Sequence, residues 1–149
     1  MKYSPQNYAL RLLELRDRTE AEIRKKMKEK GFLAEEIEKT VRWLKEKDFI
    51  NDEKFAKRLV ESQKSKVESG KRKVVFKMYK LGISKELIDK YSGDIVPEDE
   101  LEKAKELAEK WLKKNTDKDN KYQKLGSHLA GKGYEIDIVK QVLSEVLKD

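Results

Sequence analysis

The densest chemistry in this sequence is cationic. Residues 70–80, GKRKVVFKMYK, open with three successive cations and then alternate bulky apolar groups with further lysines. Between residues 54 and 80 ten basic side chains accompany only two acids, Glu61 and Glu68. The flanks nearly cancel, with 13 basic and 12 acidic groups over residues 1–53 and 13 and 15 over residues 81–149. The middle of the chain therefore supplies the whole net charge of +7. An acid-poor run of this kind suits phosphate backbones, to which arginine can bond through two donors at once, and equally suits an acidic protein surface. The residues expected to carry that contact are Lys57, Arg58, Lys64, Lys66, Lys71, Arg72, Lys73, Lys77 and Lys80. A second, smaller cluster in RDRTEAEIRKK comprises Arg18, Arg24 and Lys25, with helix capping and ordinary surface ion pairs as its plain alternative.

Other chemistry is sparse. The chain has no cysteine, which removes disulfides, thiolate metal sites and cysteine nucleophiles. His128 is the only histidine and lacks the company a metal site or catalytic base would need. Carboxylate pairs such as Asp52–Glu53 and Asp99–Glu100 fall at helix starts, where they offset the positive end of the helix dipole. No phosphate-binding glycine loop and no nucleophile–base pattern stands out. Trp43 and Trp111 read as packing residues, with base stacking as the lesser option. No cofactor, metal or catalytic residue is expected.

The elements that must hold these cations are helices. Apolar content is 37% and charged content 44%, too polar for one thick core but sufficient for thin helical layers that each bury a single stripe. Three stretches share one plan: MKEKGF (27–32), MYKLGI (78–83) and LAGKGY (129–134). Their glycines, Gly31, Gly82 and Gly133, recur every 51 residues. Apolar residues keep fixed offsets from them, with Ile23, Val74 and Leu125 before, and Ile37, Ile88 and Val139 after. Each copy also has a leading helix, marked by Tyr8, Ala9, Leu12 and Leu13 in the first and Phe55, Ala56, Leu59 and Val60 in the second. The third has Ala104, Leu107, Ala108 and Trp111, and carries Lys103 where the others carry an aromatic. This spacing makes one stripe on a helix and fits no strand.

Helix ends are written in the same places. Ser4–Pro5 is an N-cap followed by proline, TEAE (19–22) is a capping box, and Asn51 caps the next leading helix. The recurring glycines fall where a left-handed residue ends a helix. The reading is all-α: nine helices at about 5–17, 20–30, 35–47, 52–67, 71–81, 84–92, 98–114, 119–131 and 135–148. They form three helix-turn-helix-like units at 1–50, 51–96 and 97–149, expected to stack as an elongated or curved repeat protein. On the fifth helix, Lys73, Lys77 and Lys80 share one stripe, while Val74, Met78 and Leu81 form another that should face the core.

RDRTEAEIRKKMKEKGF (16–32), FINDEKFAKRLV (49–60) and SGKRKVVFKMYKLGIS (69–84) together resemble the RecX family of recombinase regulators, over roughly residues 8–147. The resemblance implies tandem three-helix repeats and a non-enzymatic role. It further implies binding in the helical groove of a RecA-type recombinase filament on single-stranded DNA, with inhibition of its ATP hydrolysis, strand exchange and co-protease function. A monomer with weak, non-specific affinity for naked DNA is expected, placing the chain in recombination, DNA repair and the SOS response. A stand-alone helix-turn-helix-like DNA-binding protein is the alternative. No apolar run approaches the ~20 residues needed to cross a bilayer, and MKYSPQNYAL lacks a signal peptide's apolar core, so the expected setting is cytoplasmic.

Overall fold

A computed structural model describes residues 3–116 and 119–148. Among them are nine helices and no strand: α1 (Pro5–Leu15), α2 (Glu20–Lys30), α3 (Ala34–Glu46), α4 (Asp52–Lys64), α5 (Lys71–Lys80), α6 (Lys85–Ser92), α7 (Pro97–Lys114), α8 (Lys121–Gly131) and α9 (Ile136–Val146). The boundaries differ from the sequence reading by up to three residues. The largest difference is at the end of α4, where Ser65, Lys66 and Val67 leave the helix for the connector to α5.

Local chemistry starts and stops these helices as the sequence implies. The Ser4 hydroxyl accepts from Asn7 N–H at 3.1 Å, with Pro5 in the first turn. Thr19 Oγ1 accepts from Glu22 N–H while the Glu22 carboxylate accepts from Thr19 N–H, at 3.2 and 3.1 Å, closing the capping box. Asn51 Oδ1 accepts from Lys54 N–H at 3.0 Å. Gly31, Gly82 and Gly133 all have positive φ, at 100°, 77° and 96°. Their amides close the preceding helix, as Gly31 N–H does onto Met27 and Lys28.

The chain divides into two compact units. One comprises the residues up to Lys57 together with Met78–Ile88; the other comprises Arg58–Lys77 together with the chain from Asp89 onward. The middle group of helices, α4 to α6, contributes residues to both.

In the first unit α1, α2 and α3 enclose Ala9, Leu12, Ile23, Met27, Ile37, Val41 and Leu44, closed at the ends by Phe32 and Ile50. Burying each of the larger aliphatic side chains is worth about 1.5–3 kcal/mol. Trp43 lies half-buried against this core with its ring 5.6 Å from Phe49, edge to face. Thr19 serves a second element as well: its hydroxyl donates to Leu81 O at 2.6 Å, tying the start of α2 to the end of α5.

The second unit packs α7, α8 and α9 around Leu107, Leu125, Leu129, Tyr134, Val139, Val142 and Leu143. Ala104 and Ala108 give α7 a flat face for close approach. Trp111 packs against this core too, 6.5 Å from the His128 ring. Burial, and secondarily the nearby Lys132, hold the His128 imidazole below its ordinary pKa. Among the described residues no group of three or more histidines, cysteines or carboxylates is spaced to hold a metal ion, and no helix is long and apolar enough to cross a membrane.

Candidate polyanion-binding site

In the second unit the connector from α4 to α5, residues 65–70, is pinned from α7 by two charged side chains one turn apart. Glu100 is 4% exposed and Lys103 8%. The Lys103 ammonium uses all three of its protons: it donates to Gln63 O at 2.9 Å, Ser69 O at 2.8 Å and Glu100 Oε2 at 3.1 Å. Glu100 Oε1 accepts from the backbone N–H of Lys71 at 2.7 Å, and Oε2 accepts from Gln63 Nε2 at 3.1 Å. Gln63 Nε2 also donates to Ser69 O at 2.6 Å. A cation thus meets carbonyls at the end of α4 and an anion meets the start of α5, the favoured sign at each helix end.

The arrangement answers a problem set by the sequence. Lys71, Arg72 and Lys73 crowd the positive end of α5, which by itself opposes helix formation. A buried carboxylate at that terminus offsets the crowding. Burial lowers the Lys103 pKa, and the adjacent Glu100 carboxylate opposes that shift. Lys103 also stands over the Tyr134 ring at 5.8 Å, and the Tyr134 hydroxyl donates to Val67 O. Burial, with Glu100 adding to it, holds the Tyr134 phenol well above its usual pKa and keeps it a donor.

Backbone contacts complete the connector. Gly70 N–H donates to Lys132 O at 2.8 Å and Arg72 N–H to Gly133 O at 2.9 Å. The approach is too close for side chains: a Cβ on Gly70 would lie 2.4 Å from Gly133 C, and one on Gly133 would lie 2.6 Å from Lys73 Cβ.

With the connector held this way, a recess of about 740 Å³ opens beside it, lined by five lysines. Lys66 comes from the connector, Lys73 and Lys77 from α5, and Lys110 and Lys114 from α7. Among the described residues Glu68 is the one acid on its wall. Among the described residues none of the five ammonium groups has a carboxylate oxygen within 4.0 Å. Lys73 Nζ makes a long contact, 3.5 Å, to Glu68 O. The apolar stripe opposite is satisfied, with Val74 and Met78 buried while Lys73, Lys77 and Lys80 are exposed.

Of the other cations singled out from sequence, Lys64 pairs with Glu61 at 3.4 Å and Lys71 lies 3.7 Å from Glu135. Arg58 and Arg72 are exposed in the same unit without lining the recess. Lys57 and Lys80 are exposed residues of the first unit. That unit also holds the smaller cluster: Arg24 bonds Glu20 at 2.9 Å and Glu38 at 2.8 Å, Arg18 Nε donates to Leu12 O at 3.2 Å, and Lys25 is exposed. Its neighbour Arg16 bonds Glu22 at 2.6 Å.

Lys110 and Lys114 escape the sequence reading. Across α7, PEDELEKAKELAEKWLKK, six acids accompany five lysines and the overall balance is unremarkable. The available signal is the i, i+4 spacing, which sets two lysines on one helix face. Lys103 and Glu100 escape it for the opposite reason, since their partners are 29–40 residues away in sequence.

The described residues form an all-helical repeat that presents a cationic recess in its second unit. Residues 6–44 match the family model described as RecX, first three-helix domain, and residues 98–143 match RecX, third three-helix domain. A regulatory protein RecX from Caldanaerobacter subterraneus subsp. tengcongensis is 37% identical over 139 residues, covering 93% of this chain and 68% of the relative. One from Clostridium perfringens is 38% identical over 143 residues, covering 92% and 66%. The chain spans about two thirds of the length of these relatives. The crystal structure of RecX from Lactobacillus salivarius superposes with a TM-score of 0.85 at 24% identity, over 95% of this chain and 94% of that one. A second regulatory protein RecX structure gives 0.81 at 26% identity, over 93% and 72%. The chain belongs to the RecX family of regulatory proteins.

Proposed function

We propose that this chain binds the filament a RecA-type recombinase forms on single-stranded DNA, within its helical groove, and restrains ATP hydrolysis, strand exchange and co-protease function. It acts by binding and performs no catalysis. The observation that carries this reading is the set of unpaired cations on a RecX-family fold. A nucleoprotein filament offers both phosphates and acidic protein surface, and cations without internal partners suit either. Binding as a monomer, the three helical units at 1–50, 51–96 and 97–149 lie along the groove, so that several modest contacts add through their linkage. The central basic residues meet filament and DNA, and the outer units brace against successive recombinase subunits. The setting is the cytoplasm, where such filaments form.

The test is a titration of this chain into recombinase and single-stranded DNA, following DNA-dependent ATP hydrolysis. Inhibition is expected at equal or lower protein than recombinase. The triple variant Arg72→Glu, Lys73→Glu, Lys77→Glu should inhibit much more weakly while keeping its helical circular dichroism. Full inhibition by that variant would remove the site from the account. Tight, sequence-dependent binding to duplex DNA without recombinase would instead support an independent DNA-binding protein.

A further inference from the structure

We infer that the five-lysine recess of the second unit holds the sugar–phosphate backbone of a single nucleic-acid strand directly, and that Lys110 and Lys114 of α7 are as much part of that site as Lys73 and Lys77 of α5. This rests on the functional reading above and names which component of the filament the recess takes.

The spacing favours a regular polyanion. Lys73 and Lys77, like Lys110 and Lys114, are four residues apart, so each pair shares a helix face about 6 Å apart along the axis. That step is comparable to the separation of successive phosphates along one strand. Lys66 adds a fifth charge on the wall, and the hydroxyls of Ser62 and Ser69 line the same space as neutral donors for phosphate oxygens.

The composition argues against an acidic protein as the occupant. Cores of protein interfaces are depleted in lysine and are anchored by aromatic residues and arginine. This recess has no arginine and no aromatic among its lining residues. Point-like ammonium groups suffice for phosphates, which need charge more than a fixed planar partner.

Single rather than double strand is favoured by Phe76. It lies on α5 between Lys73 and Lys77 in sequence and is 62% exposed. A strand whose phosphates enter the recess leaves its bases outside, where an exposed aromatic face can stack them. Paired bases would be closed to that contact.

The experiment measures binding of a fluorescein-labelled oligothymidylate to the full chain across a salt series, without recombinase, and then inhibition of the recombinase ATPase by the same variants. Each phosphate neutralised on a single strand contributes about −0.7 to the slope of log K against log salt. Lys110→Gln with Lys114→Gln should therefore weaken binding and flatten the slope by about 1.4, and Lys73→Gln with Lys77→Gln should do the same. Lys28→Gln with Lys39→Gln, exposed lysines of the first unit, should change neither. Phe76→Ala should weaken single-strand binding by about fivefold or more and leave duplex binding unchanged. Circular dichroism checks that each variant stays folded. An unaltered slope in Lys110→Gln with Lys114→Gln overturns the inference. If that pair keeps DNA binding but loses inhibition, the recess takes acidic protein, which also overturns it while leaving the filament reading intact. If single-strand binding falls as expected and inhibition is unchanged, the inference stands and the filament reading fails.

Discussion

Arg24 and Lys73 are both cations on helices, and both belong to clusters that stand out in the sequence. Their surroundings separate them. Arg24 is held by Glu20 and Glu38, and its neighbour Arg16 by Glu22. Lys73 has no carboxylate within 4.0 Å among the described residues, and neither have Lys66, Lys77, Lys110 and Lys114. In the smaller cluster the three arginines are bonded within the fold. In the recess of the second unit positive charge is left available, while Lys103 with Glu100 is buried to hold the connector beside it. The presence of clustered cations does not distinguish the two regions; the positions of the acids do.

The largest expected break in this contrast is Lys103→Met. It leaves Glu100 as a buried carboxylate without its cation and removes one of the donors to each of two carbonyls, and removal of one member of a buried pair costs about 3–5 kcal/mol. Calorimetry should show a correspondingly lower Tm, and hydrogen exchange should show early opening of residues 65–70. Replacing both members, as Lys103→Met with Glu100→Leu, should recover part of the loss while leaving Lys71 N–H without its acceptor. A wild-type Tm for the single variant would show that the network does not order the connector.

Thr19→Ala comes next. It removes the capping bond to Glu22 and the bond to Leu81, for an expected cost of about 1–2 kcal/mol. Oligothymidylate affinity should be untouched, because Thr19 belongs to the unit without the recess. A parallel loss of affinity would contradict the assignment of binding to the second unit.

Acid should sharpen the contrast further. Burial opposes ionisation of Glu20, yet hydrogen bonds from Lys45 and Arg24 outweigh it and leave the carboxyl below its ordinary pKa. Glu22 behaves in the same way, with bonds from Arg16 and the Thr19 N–H outweighing burial. Between these lowered values and the ordinary 4.5 the unfolded chain binds more protons, so stability rises with pH. The contribution is present above about pH 4.5 and is lost as pH falls through the lowered values. Asp52, raised by burial and only partly offset by the Glu20 N–H it accepts, has the opposite sign and softens the onset. Arg16→Gln with Arg24→Gln should flatten the fall in Tm below about pH 4.5. An unchanged acid slope would show that these pairs contribute nothing measurable.

The smallest effect is expected for Arg24→Gln alone at neutral pH. Its side chain is 35% exposed, and partly exposed pairs of this kind are worth about 1 kcal/mol or less. Single-strand affinity should stay within experimental error of wild type. A large drop would restore the smaller cluster as a binding site.

What the sequence made readable was local. Ser4, Thr19, Asn51 and the three glycines act within a few residues of themselves, so spacing alone located the helix ends. The apolar stripes were readable for the same reason, since helical period fixes which of Val74 and Lys73 turns inward. The lysine recess was half readable: Lys66, Lys73 and Lys77 lie in the acid-poor run, but Lys110 and Lys114 join them only through the packing of α7. Lys103 was misleading in isolation. At the position where the other copies carry Tyr8 and Phe55, it looked like a lapse in the pattern. Its partners, Gln63 and Ser69, are 40 and 34 residues away, a distance over which periodicity carries no information.

The most direct measurement compares two variants for association with recombinase-coated single-stranded DNA by anisotropy: Lys73→Gln, Lys77→Gln, Lys110→Gln, Lys114→Gln in one chain, and Arg16→Gln, Arg24→Gln in another. Loss of association for the first and wild-type association for the second is the expected result. Equal behaviour of the two variants would contradict the claim that unpaired lysines of the second unit, and not positive charge in general, make the contact.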